Sequence, residues 1–126
     1  MQFRYARHSN DLAKLIDFYT NILAFEVLGS FENHDGYDGV FLGKQGLAWH
    51  LEFTSSEDKA EHSTDPDDAL VFYPKSKQEY QAILLNLKKY KIKTIKAKNP
   101  YWRKYGLMFQ DPDGFNIILS DLQIQS

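Results

Sequence analysis

Cysteine is absent from this chain of 126 residues, and no apolar run is long enough to cross a bilayer. Without cysteine the protein forms no disulfide, thiolate nucleophile, zinc finger or iron–sulfur cluster. The first ten residues also lack the apolar block of a signal peptide. The net charge of -2 gives the protein no strong electrostatic attraction to nucleic acid or to an anionic membrane. We therefore expect a cytoplasmic domain that binds neither.

Hydrophobic residues make up 43% of the chain and aromatic residues 15%, which is enough to build a core. Apolar residues at three- and four-residue steps predict helices over 10–24 and 76–90. Ser9 or Asn10 can cap the first helix, and Ser76 can cap the second.

The order strand, helix, strand, strand, strand occurs twice along the chain. The predicted strands are Phe3–Tyr5, Phe25–Phe31, Val40–Leu42 and Leu47–Phe53 in the first half, and Leu70–Tyr73, Ile92–Ile95, Leu107–Phe109 and Phe115–Leu119 in the second. The sequence therefore predicts an α+β protein with two βαβββ modules, 1–54 and 68–126, joined by a polar linker over 55–67.

Residues 88–104 carry eight positive charges and no acid. No recognition helix or phosphate-binding loop accompanies these charges. The segment is therefore interpreted as a solvated surface whose lysines discourage pairing at a sheet edge, rather than as an anion or nucleic-acid site.

Five short motifs follow one another in a recognisable order. They are Asp11-Leu12, Ile16-Asp17-Phe18-Tyr19, Leu23-Ala24-Phe25, His50-Leu51-Glu52-Phe53 and Phe109-Gln110-Asp111-Pro112-Asp113-Gly114. With them the chain resembles, over nearly its whole length, the vicinal oxygen chelate superfamily of glyoxalase I, bleomycin- and fosfomycin-resistance proteins and extradiol dioxygenases. The resemblance implies a cup-shaped, half-open barrel with helices on its outer face, and assembly into homodimers.

The resemblance also implies four positions for metal ligands, one on the first strand and one on the last strand of each module. In this chain they fall on Arg4, Glu52, Ala69 and Ile118. Of these four side chains, only that of Glu52 can donate to a cation. We therefore expect no cofactor. A divalent metal bound at displaced ligands, with Glu52 and His50 as the candidates, is the alternative.

Alternation along the last strand of the first module separates two faces. One face carries Leu47, Trp49, Leu51 and Phe53, and the other carries Ala48, His50, Glu52 and Thr54. His50 and Glu52 are the candidate catalytic residues, because a histidine beside a carboxylate can act as a general base. A solvated face, or an ion pair between Glu52 and Arg4, is the alternative. Arg4 could bind Glu52 and keep donors for a substrate carboxylate or phosphate, and His8 shares its strand face.

Two loops hold the remaining candidates for ligand binding. His34 and Tyr37 lie in a loop rich in Asn, Asp and Gly, and Tyr101 and Trp102 follow Asn99-Pro100. Turn formation explains the first loop equally well, and aromatic cover of a sheet edge explains the second.

Three functions remain compatible with these residues. The first is a small-molecule-binding or resistance-type protein that works without metal. The second is an enzyme with a glyoxalase-like lyase, isomerase or dioxygenase-type activity, its metal ligands displaced to His50, Glu52 and His8. The third is a protein-interaction module that keeps the fold without the site.

Overall fold

The computed structural model of the protein describes residues 1–124 and divides the chain into two compact units. The first unit is Met1–His62, and the second runs from Ser63 onward. No helix within residues 1–124 is long and apolar enough to cross a membrane.

The first unit has the predicted order of one helix and four strands. Its elements are β1 (Phe3–His8), α1 (Leu12–Ile22), β2 (Glu26–His34), β3 (Tyr37–Gly43) and β4 (Trp49–Ser55). They form one mixed sheet in the order β1-β4-β3-β2, in which β1 runs parallel to β4 and the other pairs are antiparallel. The predicted βαβββ arrangement of this module is confirmed.

Helix α1 covers one side of this sheet. Leu15 and Tyr19 are fully buried, and the ring of Tyr19 lies 5.2 Å from that of Phe53 on β4. The cap is Asp11, whose carboxylate accepts a hydrogen bond from the backbone N–H of Lys14, so the expected cap at Ser9 or Asn10 is wrong. An aspartate at this position satisfies an unpaired N–H as well as a serine would.

The second unit repeats the plan with fewer strands. Its elements are β5 (Leu70–Phe72), α2 (Lys77–Lys89), α3 (Pro100–Tyr105), β6 (Leu107–Gln110) and β7 (Asn116–Leu119). The sheet order is β5-β7-β6, with β5 parallel to β7 and β6 antiparallel to it. Ser76 caps α2 as predicted, since its hydroxyl accepts from the backbone N–H of Glu79.

The prediction of a strand at Ile92–Ile95 is wrong, because these residues form no strand. Ile95 alone forms an isolated bridge to Met108, and two residues later Ala97 is buried in the packing on one side of the second sheet. The loop expected for Tyr101 and Trp102 is also wrong, because Asn99 caps α3 and Pro100 occupies its first turn. Proline suits that position, since it has no N–H to leave unpaired.

The chain reverses direction between β6 and β7, and the buried carboxylate of Asp111 shapes this turn. Oδ1 of Asp111 accepts hydrogen bonds from the backbone N–H groups of Asp113 and Phe115, at 2.9 and 3.1 Å. Gly114 adopts a φ of +87°, a conformation that favours glycine.

Five residues fill the side of the second sheet that carries α3, and we call them the α3 cluster. They are the buried Ala97, Met108 and Ile118 together with the partly buried Val71 and Trp102. Gly106 ends α3 where this packing is tightest, because a side chain there would meet both Ile118 and Trp102.

We predict that Gly106→Ala destabilises the protein. The added methyl carbon would lie 2.6 Å from Cγ2 of Ile118 and 3.1 Å from Cε3 of Trp102. Overpacking of this kind costs about 1–3 kcal/mol, which urea denaturation would measure.

The matched control is Gly29→Ala on β2, where the nearest atom, Cδ2 of Phe41, is 3.4 Å away and in ordinary contact. We expect its unfolding free energy to change by less than about 1 kcal/mol. Equal stability of Gly106→Ala and the natural chain would contradict the packing of the α3 cluster.

Candidate functional site

The side of the first sheet away from α1 carries the polar residues predicted for the site. Leu51 and Phe53 of β4 are buried on the α1 side, while His50 and Glu52 between them remain partly exposed. We call this second side the polar face; it carries Arg4, His8, Phe41, His50, Glu52 and Thr54. The predicted alternation is confirmed over β4 itself. Leu47 lies before the strand and is exposed.

The parallel register of β1 and β4 brings Arg4, His50 and Glu52 together. Arg4 pairs with His50 and Ala6 with Glu52, so the arginine side chain reaches across to both neighbours on β4. Its Nε donates to Nε2 of His50 at 2.9 Å, and its Nη1 donates to Oε1 of Glu52 at 2.7 Å. The ion pair between Arg4 and Glu52, which the sequence left as an alternative, is present.

This contact sets the tautomer of His50. A guanidinium stays protonated and can only donate, so Nε2 of His50 is the acceptor and the ring proton lies on Nδ1. For Nε2 to act as a general base, the contact with Arg4 would first have to break.

Two aromatic residues that the sequence did not single out extend the polar face. The guanidinium carbon of Arg4 lies 4.9 Å from the centre of the Phe41 ring, and His50 meets that ring edge-on at 5.6 Å. Phe31 of β2 lies 5.9 Å from Phe41, and its ring covers Gly39. Phe41 lies between the apolar Val40 and Leu42, so the sequence shows no alternation there. The register of β3 against Glu52 could have identified it.

His8 holds the segment after β4 against the end of β1. Its Nδ1 is 2.9 Å from Oγ1 of Thr54, and its Nε2 is 3.1 Å from both the carbonyl oxygen of Asp58 and the hydroxyl of Ser56. The backbone oxygen of His8 also accepts from His62, which lies in the predicted polar linker. The first part of the segment predicted as a linker is thus hydrogen-bonded to β1.

An open cavity of about 660 Å³ lies between this segment and the turn from β2 to β3. Its lining includes Asp35, Tyr37, Asp38, Glu57 and Asp58. Tyr37 contacts the edge of the His8 ring at 5.8 Å, so this predicted site residue lies at the end of the polar face. His34 is highly exposed, and its nearest charged partner is Asp35 at 3.9 Å.

The equivalent positions of the second unit carry no polar site. Ile118 pairs with Val71 as Glu52 pairs with Ala6, and Ile118 is buried in the α3 cluster. Trp102 belongs to that cluster, which is a packing role. Tyr101 on the same helix is about half exposed and contacts the rings of Trp102 and Tyr105.

The side chains at the four implied ligand positions do not fit a divalent metal. Arg4 brings a positive charge to one position, and Ala69 and Ile118 have no donor atom. The remaining ligand candidate, Glu52, is bonded to Arg4. Among residues 1–124, no three His, Asp or Glu side chains come close enough together to hold a metal ion.

Comparison with known proteins identifies the family. Residues 3–54 match the YycE-like N-terminal domain, and residues 67–121 match the YycE-like C-terminal domain. The chain belongs to the YycE-like family. It is 38% identical over 118 residues to the uncharacterized protein YycE of Bacillus subtilis, across 93% of this chain and 85% of that protein.

Solved structures show that this YycE-like chain is structurally similar to members of the superfamily that the sequence motifs indicate. A crystal structure of Bacillus subtilis YycE, of unknown function, has a TM-score of 0.83 at 38% identity and covers 95% of this chain and 88% of its own. The trypanothione-dependent glyoxalase I of Leishmania major has a TM-score of 0.72 at 21% identity, with coverages of 96% and 86%. The antibiotic-binding protein TnmS3 of a Streptomyces species has 0.66 at 19%, with coverages of 96% and 94%. The last two likenesses show the fold.

We predict that Arg4→Met destabilises the protein more than Glu52→Gln does. The side chain of Arg4 is 51% exposed and that of Glu52 only 15%. Loss of Arg4 leaves a mostly buried carboxylate without its donor, which costs about 1–3 kcal/mol. Loss of the Glu52 charge leaves an arginine that water can solvate, which costs less than about 1 kcal/mol.

Chemical denaturation of both variants and of the double variant would measure these costs and the coupling between the residues. Lys14→Met, at an exposed position of α1, is the control and should change stability by less than about 0.5 kcal/mol. Additive effects of the two substitutions would show that Arg4 and Glu52 are not coupled.

Proposed function

We propose that this protein binds a small molecule on the polar face of the first sheet, without the divalent metal of its metal-dependent relatives. The observation that carries the proposal is the guanidinium of Arg4, held between His50 and Glu52 at the position implied for a metal ligand. A fixed organic cation there already neutralises the one remaining ligand candidate. Sequestration of a ligand needs no metal. Acid–base chemistry at His50 would need none either, but it would require the contact between Nε2 and Arg4 to break.

The surroundings of Arg4 support binding. The Arg4 side chain is half exposed, the ring of Phe41 lies beside its guanidinium, and the ring of Phe31 lies next to that of Phe41. Hydrogen-bond donors next to apolar aromatic surface are typical of small-molecule sites. TnmS3, which shares the fold, is named as an antibiotic-binding protein, and this agrees with a binding role.

A metal-dependent lyase, isomerase or dioxygenase fits the contacts less well. His50 and Glu52 are both bonded to Arg4, and His8 is hydrogen-bonded to Thr54 and Asp58. A metal bound to these three residues would have to displace the guanidinium and open the contacts of His8.

The α3 cluster favours a second candidate function, a protein-interaction module. In the second unit the face that carries Ile118, one of its two implied ligand positions, is filled by the protein's own side chains. A module that has lost its site would show such filling in both units. The partly exposed Arg4 and Glu52 distinguish the first unit from that state.

Metal loading tests the proposal. We expect protein purified without a histidine tag and dialysed against micromolar Ni²⁺, Zn²⁺, Mn²⁺ or Fe²⁺ to retain far less than one ion per chain in elemental analysis, because Arg4 repels a cation from Glu52. Near one ion per chain, lost in Glu52→Gln and kept in Asp17→Asn on α1, would overturn the metal-free proposal.

The proposal includes a homodimer in the cytoplasm, and the cup-shaped arrangement of the modules stays a prediction. Tyr37 and Tyr101 are exposed aromatic side chains of the kind that anchor interfaces, whereas Trp102 is engaged in the α3 cluster. Light scattering should give about 29 kDa, twice the 14.7 kDa of one chain, at micromolar concentration. Tyr101→Ala should weaken the dimer more than Tyr90→Ala, a substitution at another exposed tyrosine. A mass of about 15 kDa would contradict the homodimer.

A further inference from the structure

The guanidinium of Arg4 is fixed by contacts with three residues, and part of it remains exposed to solvent. Two hydrogen bonds engage Nε and Nη1, and the ring of Phe41 lies 4.9 Å from the guanidinium carbon. The remaining nitrogen, Nη2, donates to no group within residues 1–124, and the side chain is about half exposed. Arg4 therefore presents fixed donors that the described protein leaves unused.

These donors suit an acceptor group that has two coplanar oxygen atoms. A guanidinium forms its strongest hydrogen bonds with carboxylates, because two N–H groups match two coplanar oxygens. His50 accepts from Nε and Glu52 from Nη1, so the donors left for a ligand are the two hydrogens of Nη2 and the second hydrogen of Nη1. His50 and Glu52 act here as positioning residues.

The apolar part of the ligand is indicated by the aromatic rings beside Arg4. His50, Phe41 and Phe31 follow one another across the face, with ring centres 5.6 and 5.9 Å apart. Gly39 has no side chain and leaves the space in which the Phe31 ring lies. A flat body placed against these rings gains aromatic contact and removes apolar area from water.

The opposite end of the polar face is negatively charged, so it orients a bound anionic ligand with its charged group at Arg4. His8 lies four residues beyond Arg4 along β1, about 13 Å at the usual rise of a strand. There the cavity is lined by Asp35, Asp38, Glu57 and Asp58. Like charges repel, so an anionic group is favoured at Arg4 and disfavoured at the cavity.

We infer that the ligand of this face is a planar aromatic carboxylate, its oxygens accepting from Arg4 and its ring system lying against Phe41 and Phe31. The inference rests on the proposed function, since it names the class of molecule that the proposed site takes.

The test uses three probes of matched size or charge: 2-naphthoate, the neutral 2-naphthylmethanol and the non-aromatic cyclohexanecarboxylate. Titrations followed by amide NMR of the whole chain report both affinity and location. We expect 2-naphthoate to bind about tenfold more tightly than either other probe, the effect of one charge-assisted hydrogen bond or one aromatic contact. The shifted amides should belong to β1, β3 and β4.

Two substitutions separate the two halves of the inference. Arg4→Lys keeps the charge but loses the planar fork, so we expect the affinity for 2-naphthoate to fall about tenfold. Phe41→Leu should weaken 2-naphthoate while leaving cyclohexanecarboxylate unchanged. Arg103→Lys, the same exchange on α3 of the second unit, is the matched control and should leave all three affinities unchanged.

The outcomes distinguish this inference from the proposed function. Equal binding of 2-naphthoate and 2-naphthylmethanol at these strands, unaffected by Arg4→Lys, would overturn the carboxylate and leave small-molecule binding standing. Absence of shifts in β1, β3 and β4 with all three probes would overturn the inference. A chemically diverse library that also left these amides unshifted would then count against the proposed function itself.

Discussion

The parallel register of β1 on β4 is the constraint on which the chemistry of the first unit depends. It sets Arg4 opposite His50 and Ala6 opposite Glu52, so one long cationic side chain reaches two neighbours on the adjacent strand. A shift by one residue would turn Arg4 to the α1 side, where Leu51 and Phe53 are buried. The hydrophobic contact of β4 with α1 and the ion pair on the polar face therefore support the same register.

The ion pair itself is a modest source of stability, because Arg4 is half exposed to water. Its larger consequence is chemical. The guanidinium engages Nε2 of His50 and one oxygen of Glu52, which are the atoms that a general base or a metal ligand would need. The first unit consequently presents hydrogen-bond donors at a position where the resemblance implies a metal ligand.

The second unit repeats the plan of the first with fewer strands, but the corresponding sheet face is apolar and buried. Ile118 stands where the first unit has Glu52, and an apolar side chain on a sheet face is most stable when covered. Ala97 and Trp102 provide that cover, and Gly106 allows the close approach of α3. Two copies of one topology thus carry a polar, partly exposed face in one unit and a filled face in the other.

Several features could be predicted from the sequence because they depend on neighbours along the chain. The helices at α1 and α2 follow from apolar residues at three- and four-residue steps, and the reversal at Asp111 follows from residues that hydrogen-bond their own backbone. Alternation likewise separates Leu51 and Phe53 from His50 and Glu52. The motifs indicated the superfamily, and the comparisons show structural similarity to its members.

Other features required the tertiary structure, because they depend on residues distant in the chain. Phe41 lies between two apolar neighbours, and only its pairing with Glu52 places it beside Arg4. Trp102 could have faced a ligand or a core, and the burial of Ile118 decides for the core. The sequence shows His62 only as a polar residue in an acidic segment. The fold brings its ring to the backbone oxygen of His8, 54 residues away. The sequence by itself determined the local elements and the side chains available to each face. The register between distant strands decided which of those side chains meet. Strand pairing brings together residues that are far apart in the sequence, and local sequence patterns do not report such contacts.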